Sequence, residues 1–144
     1  VKRYAFSLER VRRVRRTQED IARARLQAAA RQERLAEEDL RHAQQQYDTT
    51  TSGAAALRGL AMSALAAREM EVRRATDVRE AAQRLRQAEA GRAEATDAWT
   101  EAKRRVSALE RLDERQRTAH ERAVIAEGDA LADDIVTGRF WRNR

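Results

Sequence analysis

Two histidines and one adjacent pair of aspartates are the residues of this chain best suited to chemistry. His42 and His120 are types that bind metals or move protons near neutral pH, and Asp133 beside Asp134 is a type of pair that shares a proton. Catalysis needs such groups to converge in a site that excludes water. The two histidines lie far apart in the sequence, and a folded-back chain would put His42 near the bend and His120 in a protruding end. Adjacent positions on a helix diverge by about 100°, so Asp133 and Asp134 read as solvated. The chain has no cysteine, so thiolate metal sites and disulfides are excluded. It shows no glycine-rich phosphate loop, no G-x-S-x-G elbow and no H-E-x-x-H pair. The sequence therefore predicts no enzyme, no metal, no cofactor and no small-molecule substrate.

What remains to position is a surface. Among 144 residues there is no proline, while 38% are charged and only 4% aromatic. Proline removes a backbone donor and clashes with the preceding turn, so its absence lets helices run long. Ala, Arg, Glu, Gln and Leu dominate, and these are strong helix formers. With so few large side chains, burial must come from a narrow seam between helices rather than a three-dimensional core. No apolar run approaches the ~20 residues of a membrane span, and the basic N-terminus lacks the apolar stretch of a secretory signal. The expected location is the cytoplasm.

The formal charge is +6. Acids precede bases by four residues at Glu9/Arg13, Glu19/Arg23, Glu37/Arg41, Glu69/Arg73, Glu80/Arg84, Glu101/Arg105 and Asp113/Arg117, the order that favours pairing on a helix face. Two stretches escape this balance. Lys2, Arg3, Arg10, Arg12, Arg13, Arg15 and Arg16 face only Glu9, and the chain ends with Arg139, Phe140, Trp141, Arg142 and Arg144. Brought together, the two ends would make one basic, partly aromatic pole.

Apolar spacing predicts an all-α fold, a long antiparallel two-helix coiled coil with a short helical segment near its tip. The first helix spans about residues 5–47, with a stripe through Val11, Val14, Ile21, Ala28 and Leu35 that drifts to Ala36, Leu40, Ala43 and Tyr47. Residues 48–53, rich in threonine and ending in Gly53, read as the break. A short helix follows over about 54–67, then a long helix over about 69–136 and a tail over 137–144. In the long helix Val78, Leu85, Arg92, Trp99 and Val106 share one seven-residue track, each followed three residues later by Ala81, Ala88, Ala95, Ala102 and Leu109. Trp99 reads as a seam residue and Gly91 as a tolerated surface glycine. A parallel homodimer with Arg92 setting register is the rival topology.

The opening Phe6-x-Leu8 with Val11, Arg12, Val14, Arg15, Glu19, Ala22 and Leu26 resembles the start of the flagellar export protein FliJ family. Trp99, Lys103, Val106, Leu109-Glu110-x-Leu112 and Arg115-x-Arg117 resemble that family's C-terminal signature, and Ala132-Asp133-Asp134 its final acidic pair, where Asp134 replaces the usual glutamate. The tail from Thr137 to Trp141 has no counterpart in the family pattern. The resemblance implies a coiled-coil stalk that enters the hexameric ring of the flagellar export ATPase and contacts the export gate membrane protein and export chaperones. It further implies a place peripheral to the inner membrane at the flagellar base. Arg12, Arg13, Arg15 and Arg16 suit an acidic ring lumen, with Phe140 and Trp141 as anchors. Leu40, Ala43, Tyr47 and Val72 are candidates for a gate-docking face. The stalk of a virulence-type secretion system would share the architecture. A nucleic-acid-binding coiled coil and a parallel scaffold dimer are further alternatives, although the basic run continues a seam instead of forming a separate arm, so nucleic acid is not the expected partner.

Overall fold

Long uninterrupted helices are what a proline-free, alanine- and arginine-rich chain favours. The computed structural model describes residues 3–56 and 61–142, and they form two helices, α1 (Glu9–Ala56) and α2 (Ala61–Arg142), with no strand among the described residues. They pack against each other as a helical hairpin, the expected antiparallel coiled coil. The hairpin divides into two compact units: a terminal unit of Val1–Glu19 with Glu101–Arg144, and a central unit of Asp20–Thr100.

The expected boundaries need correction. Residues 48–53 do not break the chain; α1 continues through them to Ala56. The hydroxyls of Thr49, Thr50, Thr51 and Ser52 donate to the carbonyls of Gln45, Gln46, Tyr47 and Asp48, at 2.6–2.8 Å. Each hydroxyl satisfies itself on the turn four residues back, so a threonine run that would otherwise compete with the helix is absorbed by it. The short segment expected over 54–67 has no separate existence: residues 54–56 close α1, 61–67 open α2, and 57–60 lie outside the described residues. The segment expected as a tail is helical as far as Arg142. At the other end α1 starts at Glu9 rather than near residue 5. The Glu9 amide donates to the Phe6 carbonyl, turning the chain, and Arg12 makes the first helical bond to Leu8.

In the central unit the inner face of α1 runs Ala22, Leu26, Ala29, Glu33, Ala36, Leu40, Ala43 and Tyr47, alternating four and three residues apart, all buried or half-buried. That is a coiled-coil seam: the expected stripe is right from Ala36 through Leu40, Ala43 and Tyr47, while before Ala36 the seam lies one residue beyond the expected Ile21, Ala28 and Leu35. Ile21 and Leu35 are instead exposed. On α2 the expected track is correct: Val78, Ala81, Leu85, Ala88, Ala95 and Trp99 are all buried or half-buried. Both seams alternate a larger residue with alanine, Leu26, Leu40 and Tyr47 on α1 and Val78, Leu85 and Trp99 on α2, and interdigitation of large with small lets the helices pack closely. Arg92 is exposed at its seam position and reaches Glu33 across the pair at 2.7 Å.

Gly91 sits within α2 and a methyl group there would meet nothing within 4 Å. Gly91→Ala should therefore raise the unfolding free energy by about 0.5–1 kcal/mol through reduced backbone entropy of the unfolded chain alone. Urea titration followed by circular dichroism measures it; a destabilised variant would mean that something does pack against this position.

Candidate functional site

The terminal unit pairs the start of α1 with the second half of α2. Its inner face uses Leu8, Arg12, Arg15 and Glu19 from the N-terminal side and Ala102, Val106, Leu109 and Asp113 from α2. Val11 and Val14, expected on the seam, are exposed at 42% and 56%. Polar residues fill seam positions because their aliphatic stems bury while their heads find partners.

The centre of those partnerships is Asp113, which is 6% exposed. The Tyr4 hydroxyl donates to Asp113 Oδ1 at 2.7 Å and is 3.1 Å from its carbonyl. Arg12 donates to Asp113 Oδ2 and, with its other terminal nitrogen, to Glu9. The Arg12 guanidinium also lies 5.4 Å from the centre of the buried Phe6 ring, a cation–π contact. The Tyr4 ring packs at 5.6 Å against the His120 ring, with Arg117 6.0 Å from its centre. One turn along, Arg16 pairs with Glu110 at 3.0 Å. Together these groups clasp the non-helical residues 4–6 onto α2.

The clasp perturbs its acids and bases in predictable directions. The Tyr4 hydroxyl, then Arg12 and Arg117, hold the Asp113 carboxyl below the usual aspartate range against the opposing effect of burial. Burial pushes the Tyr4 phenol up, as do its bond to Asp113 and that carboxylate's charge. Burial alone would lower Arg12; the carboxylates of Asp113 and Glu9 outweigh it and raise it.

Charge is segregated between the units. Residues 1–19 and 101–144 carry 17 Lys and Arg against 11 Asp and Glu, whereas residues 20–100 carry 13 of each. The whole net charge therefore belongs to the terminal unit. Of the seven expected i,i+4 pairs, only Glu69/Arg73 and Glu101/Arg105 form ion pairs among the described residues. Asp113 and Glu9 turn to Arg12 instead, which sequence spacing could not reveal for Asp113 because the two lie 101 positions apart.

The predicted contact residues fare unevenly. Arg13 and Arg16 are exposed, Arg16 already paired; Arg15 is half-buried and donates to Gln18 at 2.9 Å; Arg12 is committed to the clasp. Leu40, Ala43 and Tyr47 are half-buried members of the inner face of α1, while Val72 is 58% exposed on α2. Leu65, seven residues earlier on the same helix, and Met70 are exposed as well, and neither stood out in the alanine-rich stretch that precedes the α2 seam. The side chains of Phe140, Trp141, Asp133 and Asp134, and residues 2 and 144, lie outside the described residues.

For chemistry the described residues offer little. His42 contacts Gln46 at 3.3 Å beside an open polar groove of about 380 Å³ lined also by Gln45, Thr49, Thr50 and Arg74. No group of three or more metal-ligating residues occurs among the described residues. No helix there is long and apolar enough to cross a membrane.

Two helices packed as a coiled-coil hairpin, with all the net charge in the unit holding both termini, place the chain in the class of helical-hairpin coiled-coil proteins. Within that class, the family model described as flagellar FliJ protein matches residues 4–144, and the chain belongs to that family. It is thus a flagellar export-related coiled-coil protein of a structural, chaperone-like kind. Neither a curated protein nor a solved structure matches the chain.

Proposed function

We propose that this protein is a non-enzymatic stalk of the flagellar export apparatus, with its terminal unit docked in the hexameric export ATPase and contacts to the export gate and to export chaperones. The observation that carries the reading, beyond family membership, is the confinement of the net charge of +6 to the terminal unit. A cationic unit is steered toward an acidic lumen and held there by contacts that salt weakens. Arg13 and Arg16 face the ring in this reading, Phe140 and Trp141 anchor the end of α2, and the inward-facing Arg12 and Arg15 shape the site, Arg12 by holding the clasp. Val72, exposed on α2, is turned to the gate, together with the part of Leu40, Ala43 and Tyr47 that the seam leaves uncovered. The working place is the cytoplasmic side of the inner membrane at the flagellar base.

The test is addition of the purified chain to its cognate export ATPase, with ring assembly read by sedimentation and turnover by phosphate release. Both should rise with this protein present, and a double charge reversal, Arg13→Glu with Arg16→Glu, should reduce the gain by about tenfold at low salt. Unchanged assembly and turnover would remove the ring-docking role.

A further inference from the structure

In the terminal unit the outer face of α2 carries a row of arginines. Arg111, Arg115 and Arg122 follow Arg104 by 7, 11 and 18 residues, offsets that keep all four within about 20° of one line along a helix. The row is about 27 Å long and lies opposite the inner face of Ala102, Val106, Leu109 and Asp113. All four arginines are exposed, and none forms an ion pair among the described residues. Elsewhere on α2 arginines are held by acids of their own helix, as Arg73 is by Glu69, Arg74 by Asp77 and Arg105 by Glu101. The acids nearest the row, Glu101, Glu114 and Glu121, stand about 60–100° around the helix from it, and Glu101 already holds Arg105. Asp97 and Asp129, seven residues beyond either end, close it. Between the arginines the face has only small side chains, Ser107, Ala108, Thr118 and Ala119.

We propose that this row lies on an anionic phospholipid bilayer, its guanidinium groups against the headgroup phosphates. Charge sets the sign of the partner, and shape sets its kind. A straight row meets a plane along its whole length, and lipid headgroups shift sideways to suit spacings of 7, 4 and 7 residues. Clusters of about four to eight Lys and Arg on a helix are held at such surfaces. The planar guanidinium donates two parallel bonds to a phosphate, and the small side chains between the arginines let the helix body come close. Other polyanions fit less well. A DNA duplex turns once in about 34 Å, so its backbone curves away from a straight row. Single strands are held by stacking on aromatic side chains, and this face has none. A protein surface fixes its carboxylates in place and binds chiefly through buried anchors, which the face also lacks. The inference goes beyond the stalk reading, in which the membrane is met only through the gate protein, and does not depend on it. Arg13 and Arg16, assigned there to the ring, lie on the other helix.

The test is flotation of the purified full chain with protein-free vesicles. The chain should bind vesicles of equimolar phosphatidylglycerol and phosphatidylcholine but not vesicles of phosphatidylcholine alone, and the bound fraction should fall steeply with added salt. Arg111→Glu with Arg115→Glu should weaken binding by about tenfold, with unchanged helix content because both sites are exposed. Arg79→Glu with Arg86→Glu makes the same change in net charge on the same helix outside the row, also at exposed sites, and should weaken binding by less than about twofold. Equal losses from the two double variants would assign the binding to net charge instead of the row and overturn the proposal. Equal binding to the two kinds of vesicle would do the same. Tighter binding of a DNA duplex or of polyglutamate at the same salt, lost with Arg111→Glu and Arg115→Glu, would give the row to another polyanion and overturn it as well.

Discussion

Ala81→Leu should be among the most damaging single substitutions in the hairpin, lowering the unfolding free energy by about 3 kcal/mol. Ala81 is fully buried, at 0% exposure, on the α2 seam between Val78 and Leu85. The seam works because alanines let the helices approach, so three added carbons have no empty space to enter. Overpacking a close-packed interior typically costs about 1–3 kcal/mol, and this change is at the large end of the range. A control separates packing from helix propensity. Ala98 lies on the same helix but is exposed, and Ala98→Leu should shift stability by less than about 0.5 kcal/mol. Urea unfolding of both variants decides it. Equal effects at the two positions would mean that α2 does not meet its neighbour through a small-residue seam.

The same packing logic explains what the sequence showed of this fold and what it hid. The α2 seam was legible because its large members, Val78, Leu85, Trp99 and Val106, recur every seven residues and are also the ones that bury. On α1 the larger aliphatics misled. Val14, Ile21 and Leu35 carry more hydrophobicity than Arg15, Ala22 and Ala36, yet it is the latter set that faces inward. Periodicity finds a stripe by hydrophobicity, whereas this seam alternates larger residues with alanine, whose small side chain gives little hydrophobic signal. The threonine run at 49–51 misled for a related reason. Its propensity argues against a helix, but the hydroxyls can bond back to the preceding turn, and a long helix locked by packing makes use of that.

The candidate site was legible as charge and hidden as geometry. The arginines of residues 10–16 stood out, and their concentration in one unit follows from the pairing of the two chain ends. Composition could not separate Arg12 from Arg13. Their roles diverge because one lies on the inner face beside Asp113 and the other on the outer face in solvent. Nor could it show that residues 4–6, read as the beginning of a helix, serve as a strap whose Tyr4 and Phe6 both find partners in the terminal unit.

That strap should make the terminal unit acid-sensitive, and Asp113→Asn should remove much of the sensitivity. The sign follows from the direction of the shift. Asp113 is held below its unfolded value, chiefly by the Tyr4 hydroxyl and then by Arg12, so its carboxylate favours the folded state at neutral pH. The contribution is fully present above the unfolded aspartate value of about 3.9, apart from its titration tail, and disappears as the pH falls through the lower folded value. Tyr4 acts at the other extreme. Its raised phenol favours the folded state below about pH 10, and that support goes as the pH climbs through the folded value. Glu9, Glu110, Arg16, Arg117 and His120 surround the clasp and are present in both proteins, so the comparison isolates the change at position 113. At pH 7 the variant should be clearly less stable than the parent, since Arg12 loses its buried counter-charge. Between about pH 5 and pH 2 the parent should lose stability faster, and the two curves should converge. Hydrogen exchange adds location: amides of residues 9–16 and 106–120 should lose protection in the variant at pH 7, while those of residues 22–47 keep theirs. Parallel stability curves at every pH, or protection lost evenly along both helices, would show that Asp113 does not hold the clasp.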